Sequence, residues 1–119
     1  MKRALLLTGK KANEVVSKQK DLLNDFYGDE LVFKVKELPV EVAAFITKDM
    51  IRNLSLERFD YVIVSGVSPY DFSDLPKTYK GPKNAFDIEK YLKKGIENLS
   101  PSKSADELIE LEKKTKKSI

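Results

Sequence analysis

The chain has 119 residues, 41% of them apolar and 34% charged, with a formal net charge of +3. That length suits one domain with one core, the balance excludes a disordered or collagen-like chain, and no apolar run approaches the roughly 20 residues that cross a bilayer. Histidine and cysteine are both absent, which removes disulfides, thiolate chemistry, Cys and His metal ligation and every Ser-His or Cys-His arrangement.

The first element is a strand over Arg3–Thr8. Its apolar residues are continuous instead of alternating, the mark of a strand buried on both faces. Met1 to Leu7 has the outline of a signal peptide, but the apolar stretch is only Ala4–Leu7. It runs straight into Gly9-Lys10-Lys11 with no cleavage site, so a cytoplasmic strand is expected. From Ala12 to Tyr27, Val15, Val16, Leu22, Leu23 and Phe26 recur at helical spacing, and Gly28 stops the helix. Glu30–Glu37 alternates, with Leu31, Phe33 and Val35 on one side and Lys34 and Lys36 on the other, as in a half-exposed edge strand. Pro39 ends it, and Val40–Ile46 is apolar without a clear period.

Thr47 is an N-cap for a helix through about Leu56, with Asp49 in its first turn. Phe59–Gly66 is the clearest strand, again continuous and closed by glycine. Ser68-Pro69-Tyr70-Asp71 and Asp74-Leu75-Pro76 are turn chemistry, and Thr78-Tyr79-Lys80 is a very short strand. A helix follows from Asn84 or Ala85 to Leu99, with Ala85, Ile88, Tyr91, Leu92 and Ile96 inward and Pro101 as its stop. A last amphipathic helix covers Ser104–Lys117, where Ser104 and Glu107 form a capping box and Leu108, Ile109 and Leu111 a narrow apolar edge.

Strands alternating with helices predict right-handed βαβ units. The expected fold class is α/β: a small Rossmann-like three-layer sandwich with a mostly parallel sheet of three to four strands in the order 2-1-3-4. Residues 1–100 form that domain, and 101–119 a C-terminal amphipathic helix or linker.

In such a sheet, ligands sit beyond the carboxyl ends of the strands, at the switch point between the first and third. Three turns converge there, and they supply the candidate ligand- or anion-binding residues: Thr8, Gly9 and Lys10; Ser65 and Gly66; Gly81, Lys83 and Asn84. Glycines, N–H groups near helix starts, hydroxyls and lysines favour phosphate or carboxylate. The plainer reading is that the glycines make turns and the lysines keep the rim soluble. Gly9-Lys10-Lys11 has neither Walker nor dinucleotide spacing, so no cofactor is expected. Asp71, Asp74 and Asp87 are better explained as turn and helix-start residues than as metal ligands, and no metal is expected.

Charge is uneven. Residues 1–20 hold Lys2, Arg3, Lys10, Lys11, Lys18 and Lys20 against Glu14 alone, and Lys113, Lys114, Lys116 and Lys117 crowd the last stretch. No aromatic residues are interleaved with them, so neither nucleic acid nor membrane is expected as a partner. The Lys- and Glu-rich composition, with Gln19 the single glutamine, is the tilt of heat-adapted proteins.

The opening Arg3–Lys10, then Leu38-Pro39-Val40 and Val42–Thr47, then Asp60–Gly66, Lys80–Ala85 and Ala105–Leu108 follow one another in a familiar order. In that order and spacing the chain resembles the amino-terminal domain of dihydropteroate-synthase-related proteins of methanogenic archaea and some methylotrophic bacteria. The resemblance covers nearly the whole chain. In that family the domain precedes a pterin-binding TIM barrel, and the family is associated with tetrahydromethanopterin-type one-carbon metabolism. The barrel is absent from these residues, so no pterin chemistry is assigned to them. Pro82 and Asn84 also stand where the family more often has a small polar residue and a histidine.

The resemblance implies a non-catalytic accessory domain that docks on a pterin-binding barrel domain or subunit and helps hold an anionic, pterin-like ligand. The alternative is a stand-alone module for a nucleotide- or phosphate-bearing small molecule. An enzyme using Lys10, Lys83 or a carboxylate as base ranks last. Homodimerisation through the Leu31–Val35 edge is a further expectation, opposed by Lys34 and Lys36.

Overall fold

The computed structural model describes residues 1–109. Four strands, β1 (Lys2–Thr8), β2 (Leu31–Glu37), β3 (Tyr61–Val64) and β4 (Thr78–Lys80), form one sheet in the order β2-β1-β3-β4. Every neighbouring pair is parallel, with Leu6 opposite Val35 on one side and Ile63 on the other. The fold is thus the α/β architecture expected, with the predicted strand order.

The unbroken apolar runs follow from this topology. Ala4, Leu6 and Ile63 face one core with Val16, Leu23, Phe33, Ile88, Leu92 and Ile96. Leu5, Leu7, Val62 and Val64 face the other with Leu38, Ile46, Ile51, Phe72 and Leu75. Alternate residues of the central strands serve opposite faces, and each buried Leu, Ile or Val contributes about 1.5–3 kcal/mol.

Helix α1 (Asn13–Tyr27) covers the first face, burying Val16 and Leu23, and it ends at Gly28. Leu22 and Phe26, members of the periodic apolar set, are 48% and 56% exposed; Ala12, Val16, Leu23 and Tyr27 make the contact stripe. Two polar side chains clamp α1 to α3 (Ile88–Leu92). The Gln19 Oε1 accepts from the Glu89 N–H at 2.7 Å, and the Tyr27 hydroxyl donates to the Leu92 carbonyl at 2.6 Å. Burial, and then the charge of Glu97, push the Tyr27 phenol above its ordinary pKa.

The second face is covered by a 3-10 turn at Ala43–Phe45, by α2 (Lys48–Arg52) and by the loop 70–75. Thr47 caps α2 as predicted, accepting from the Met50 N–H at 3.2 Å. The helix stops at Arg52 and not near Leu56; the Asn53 N–H makes the bonds of its C-cap, to the Asp49 and Ile51 carbonyls. Strand β3 is also shorter than its apolar run. Asp60 leaves the ladder to bracket Arg3, accepting from its N–H through Oδ2 at 2.9 Å and donating to its carbonyl at 2.8 Å.

Two later helices differ from expectation. The helix predicted from Ala85 to Leu99 is three pieces: a 3-10 turn at Ala85–Asp87, α3, and a 3-10 turn at Ile96–Asn98. The chain turns at Gly95, whose φ of 115° no helix accommodates. Helix α4 covers only Ala105–Leu108, and Ile109 is already extended; the rest of the helix expected to Lys117, with Leu111, lies outside the described residues. The capping box is also replaced: the Ser104 hydroxyl donates to the Glu107 carboxylate at 3.3 Å and caps no main-chain N–H.

Ser100 and residues 101–109, the described part of the segment 101–119, hydrogen-bond to the β4 strand and to the loops beside it. Ser100 and Pro101 accept from the Lys80 and Phe72 N–H groups, and the Ala105 N–H donates to Gly81. Lys80 is 7% exposed; its ammonium donates to the Ser68 carbonyl at 3.0 Å and lies 5.9 Å from the centre of the Phe72 ring. Among the described residues no helix is long and apolar enough to cross a membrane.

Candidate functional site

A cleft of about 410 Å³ opens at the carboxyl ends of β1, β3 and β4, where the strand order reverses. The last turn of β1 and the start of α1 form one wall, through Leu7, Thr8, Ala12 and Val16. The β4 turn forms the opposite wall, from Gly81 to Ala85 and on to Ile88. Leu6, Ile63 and Val64 make the floor, and Ala43, Ser65 and Val67 complete the rim.

Five of the eight predicted residues line this cleft: Thr8, Ser65, Gly81, Lys83 and Asn84. Gly9, Lys10 and Gly66 do not. The two glycines are needed for packing between turns. A Cβ on Gly9 would lie 2.9 Å from the carbonyl oxygens of Val40 and Glu41, and one on Gly66 would lie 2.5 Å from the Gly81 carbonyl oxygen.

Main-chain donors at the three turns are mostly spent on one another. The Lys10 and Lys11 N–H groups donate to Val40 and Glu41 at 2.8 and 2.9 Å. Gly66 donates to Pro82 at 3.0 Å and Gly81 to Val64 at 2.8 Å. Lys83 donates to the Asp106 carboxylate at 2.7 Å. The turns thus interlock, and these five amides are not free to cradle a phosphate.

Side chains supply the polar character that remains. The Thr8 hydroxyl is buried and donates to the Gly9 carbonyl at 3.1 Å. The Ser65 Oγ accepts from the Val67 N–H at 3.2 Å and keeps its own proton to donate. The Asn84 Oδ1 accepts from the Phe86 N–H at 2.9 Å, which leaves its NH₂ group for other partners. Lys83 is exposed and is the single ionisable side chain in the lining. Beside it, burial and the charges of Asp106 and Asp87 push the Tyr91 phenol above its ordinary pKa.

Sequence reasoning missed the apolar walls. Ala12, Ala43 and Ala85 each stand at the start of a helix or 3-10 turn facing the cleft. Their small side chains leave the space that larger residues would fill. The grouped aspartates are engaged elsewhere: Asp71 accepts from the Ser73 N–H and hydroxyl at 2.9 and 2.6 Å, and Asp74 pairs with Lys48 and Arg52. Among the described residues no three carboxylates gather into a metal-holding group.

No family model, curated protein or solved structure matches the chain.

Proposed function

We propose that this chain is a non-catalytic accessory domain that holds a small ligand in the switch-point cleft, of the kind that precedes the pterin-binding barrel in dihydropteroate-synthase-related proteins. The observation that carries the binding reading is the cleft itself, about 410 Å³ of mainly apolar walls with four polar side chains at its edge. That size and composition are those of small-molecule sites, and the location is where open parallel sheets take ligands. The non-catalytic reading rests on the lining, which offers an amine, two hydroxyls and an amide but no carboxylate, imidazole or thiol to activate them. Docking on a barrel domain or subunit rests on the resemblance of the turns alone.

Thermal-shift titration of the full chain with pterins, pterin phosphates, folate-like compounds, nucleotides and inorganic phosphate tests the reading. One ligand class raises the midpoint for the native chain and fails to do so for Ala85→Phe, which fills the cleft from a half-buried wall position. The same midpoint with every compound refutes ligand binding. Sedimentation of the chain with a pterin-binding barrel subunit then tests docking separately.

A further inference from the structure

We infer that the cleft selects an amphipathic monoanion, an apolar body of one or two rings whose single acid group is held at the mouth by Lys83. The inference rests on the cleft being the ligand site and adds the class of molecule it takes. Three observations carry it.

The first is the charge of the lining. No carboxylate lines the cleft, so a cationic ligand would give up its water and gain no counter-charge. Lys83 is the one ionisable side chain there, and it makes no ion pair among the described residues. The neighbouring Asp106 carboxylate already accepts from the Lys83 main-chain N–H. Among the described residues the Lys83 ammonium at the mouth has no ion-pair partner.

The second is the commitment of main-chain donors where the turns meet. A bare phosphate needs several converging N–H groups to replace its water. The amides of Lys10, Lys11, Gly66, Gly81 and Lys83 are all committed to protein acceptors. The side chains that can meet an anion at the mouth are the Lys83 ammonium, the Asn84 amide and the Ser65 hydroxyl, a set suited to one carboxylate or one phosphate ester.

The third is the interior. Below that polar edge Leu6 and Ile63 lie in the floor and Val16 and Ile88 in the walls, with Ala12 and Ala85 leaving room between them. No aromatic side chain lines the cleft, so an apolar body is held by area burial and not by stacking. A cleft of about 410 Å³ lies at the small end of ligand sites, which sets the body at one or two rings.

The test is an NMR titration of the ¹⁵N-labelled 119-residue chain with 2-naphthoate, neutral 2-naphthamide, 2-naphthylmethylamine and inorganic phosphate. The expected result is that 2-naphthoate moves the amide signals of Ala12, Ser65, Asn84 and Ala85 and binds roughly five-fold or more tighter than the amide, as one charge-assisted hydrogen bond at a partly wet site provides. Lys83→Gln, a change at an exposed position, brings the acid to the level of the amide. Equal binding of acid, amide and amine overturns the charge selection while leaving the cleft as a ligand site. Phosphate moving the same signals as strongly as the naphthoate overturns the amphipathic class. If no ring compound moves those signals, the inference and the ligand-binding reading beneath it fall together.

Discussion

The carboxamide of Asn24 on α1 brackets Phe33 on the edge strand β2. Its Oδ1 accepts from the Phe33 N–H at 2.7 Å, and its Nδ2 donates to the Phe33 carbonyl at 3.1 Å. An edge strand offers a row of unpaired main-chain groups to any other strand, and this side chain takes the pair at the middle of the row. Lys34 and Lys36 add charge on the same strand.

Asn24→Leu therefore has two consequences. It leaves two main-chain groups without partners and lowers stability by about 1–3 kcal/mol, measured by urea denaturation. It also opens the edge, so sedimentation velocity at rising concentration detects dimers that the native chain does not form to the same extent. A variant as stable and as free of association as the native chain refutes the role given to Asn24.

The cleft depends on contact between turns that no side chain can enter. Gly66→Ala places a methyl 2.5 Å from the Gly81 carbonyl oxygen and 2.9 Å from the Lys83 nitrogen, whereas Gly81→Ala meets nothing nearer than the Ile63 Cγ2 at 3.2 Å. The first costs about 1–3 kcal/mol as overpacking against main chain, and the second less. Thermal denaturation of both variants orders them, and the reverse order contradicts the interlocked-turn description.

Acid stability has a definite sign. Asp71 is held below the ordinary aspartate range chiefly by hydrogen bonds from the Ser73 hydroxyl and N–H, with the charges of Lys48 and Lys80 adding. Asp74 is held below it chiefly by its hydrogen bond from Lys48, with the charges of Lys48 and Arg52 adding. In the unfolded chain both titrate near about 3.9. A carboxyl with a lower pKa folded than unfolded stabilises the fold above the unfolded value, and that contribution is lost as pH falls through the folded value. The melting midpoint is thus expected to drop on acidification below about pH 4, and Asp71→Asn removes part of that drop. A midpoint that rises through the same range contradicts the assignment.

Much of this architecture was legible because parallel strands are buried on both faces. Ala4–Leu7 and Tyr61–Val64 read as strands without any alternation to confirm them, and Gly28 marked the end of α1. The break in the predicted helix from Ala85 to Leu99 was not legible from periodicity. Ile88, Leu92 and Ile96 are all buried at four-residue spacing although Gly95 divides them, so the pattern survives a change of backbone. Leu22 and Phe26 misled in the opposite direction, being apolar side chains that the fold leaves outside.

At the site, the switch-point rule located Thr8, Ser65, Lys83 and Asn84 because those side chains carry recognisable chemistry. It could not locate Ala12, Ala43 and Ala85, whose contribution is the volume they leave empty. Lys10, prominent in sequence, lies outside the lining, and its N–H is tied to Val40 on the segment that follows β2.

The position of β1 also sets the order in which the molecule can assemble. This strand is made first, yet both its neighbours in the sheet, residues 31–37 and 61–64, are made later. Until they emerge, Leu5, Leu6 and Leu7 have no partner on either side, and no local hairpin can shelter them. The turn carrying Lys83 closes later still, when Ala105 and Asp106 arrive to bond it. Such pairing between distant parts of the chain makes for slow folding. A nascent chain halted between residues 64 and 104 would hold most of its sheet while lacking a finished wall to the cleft.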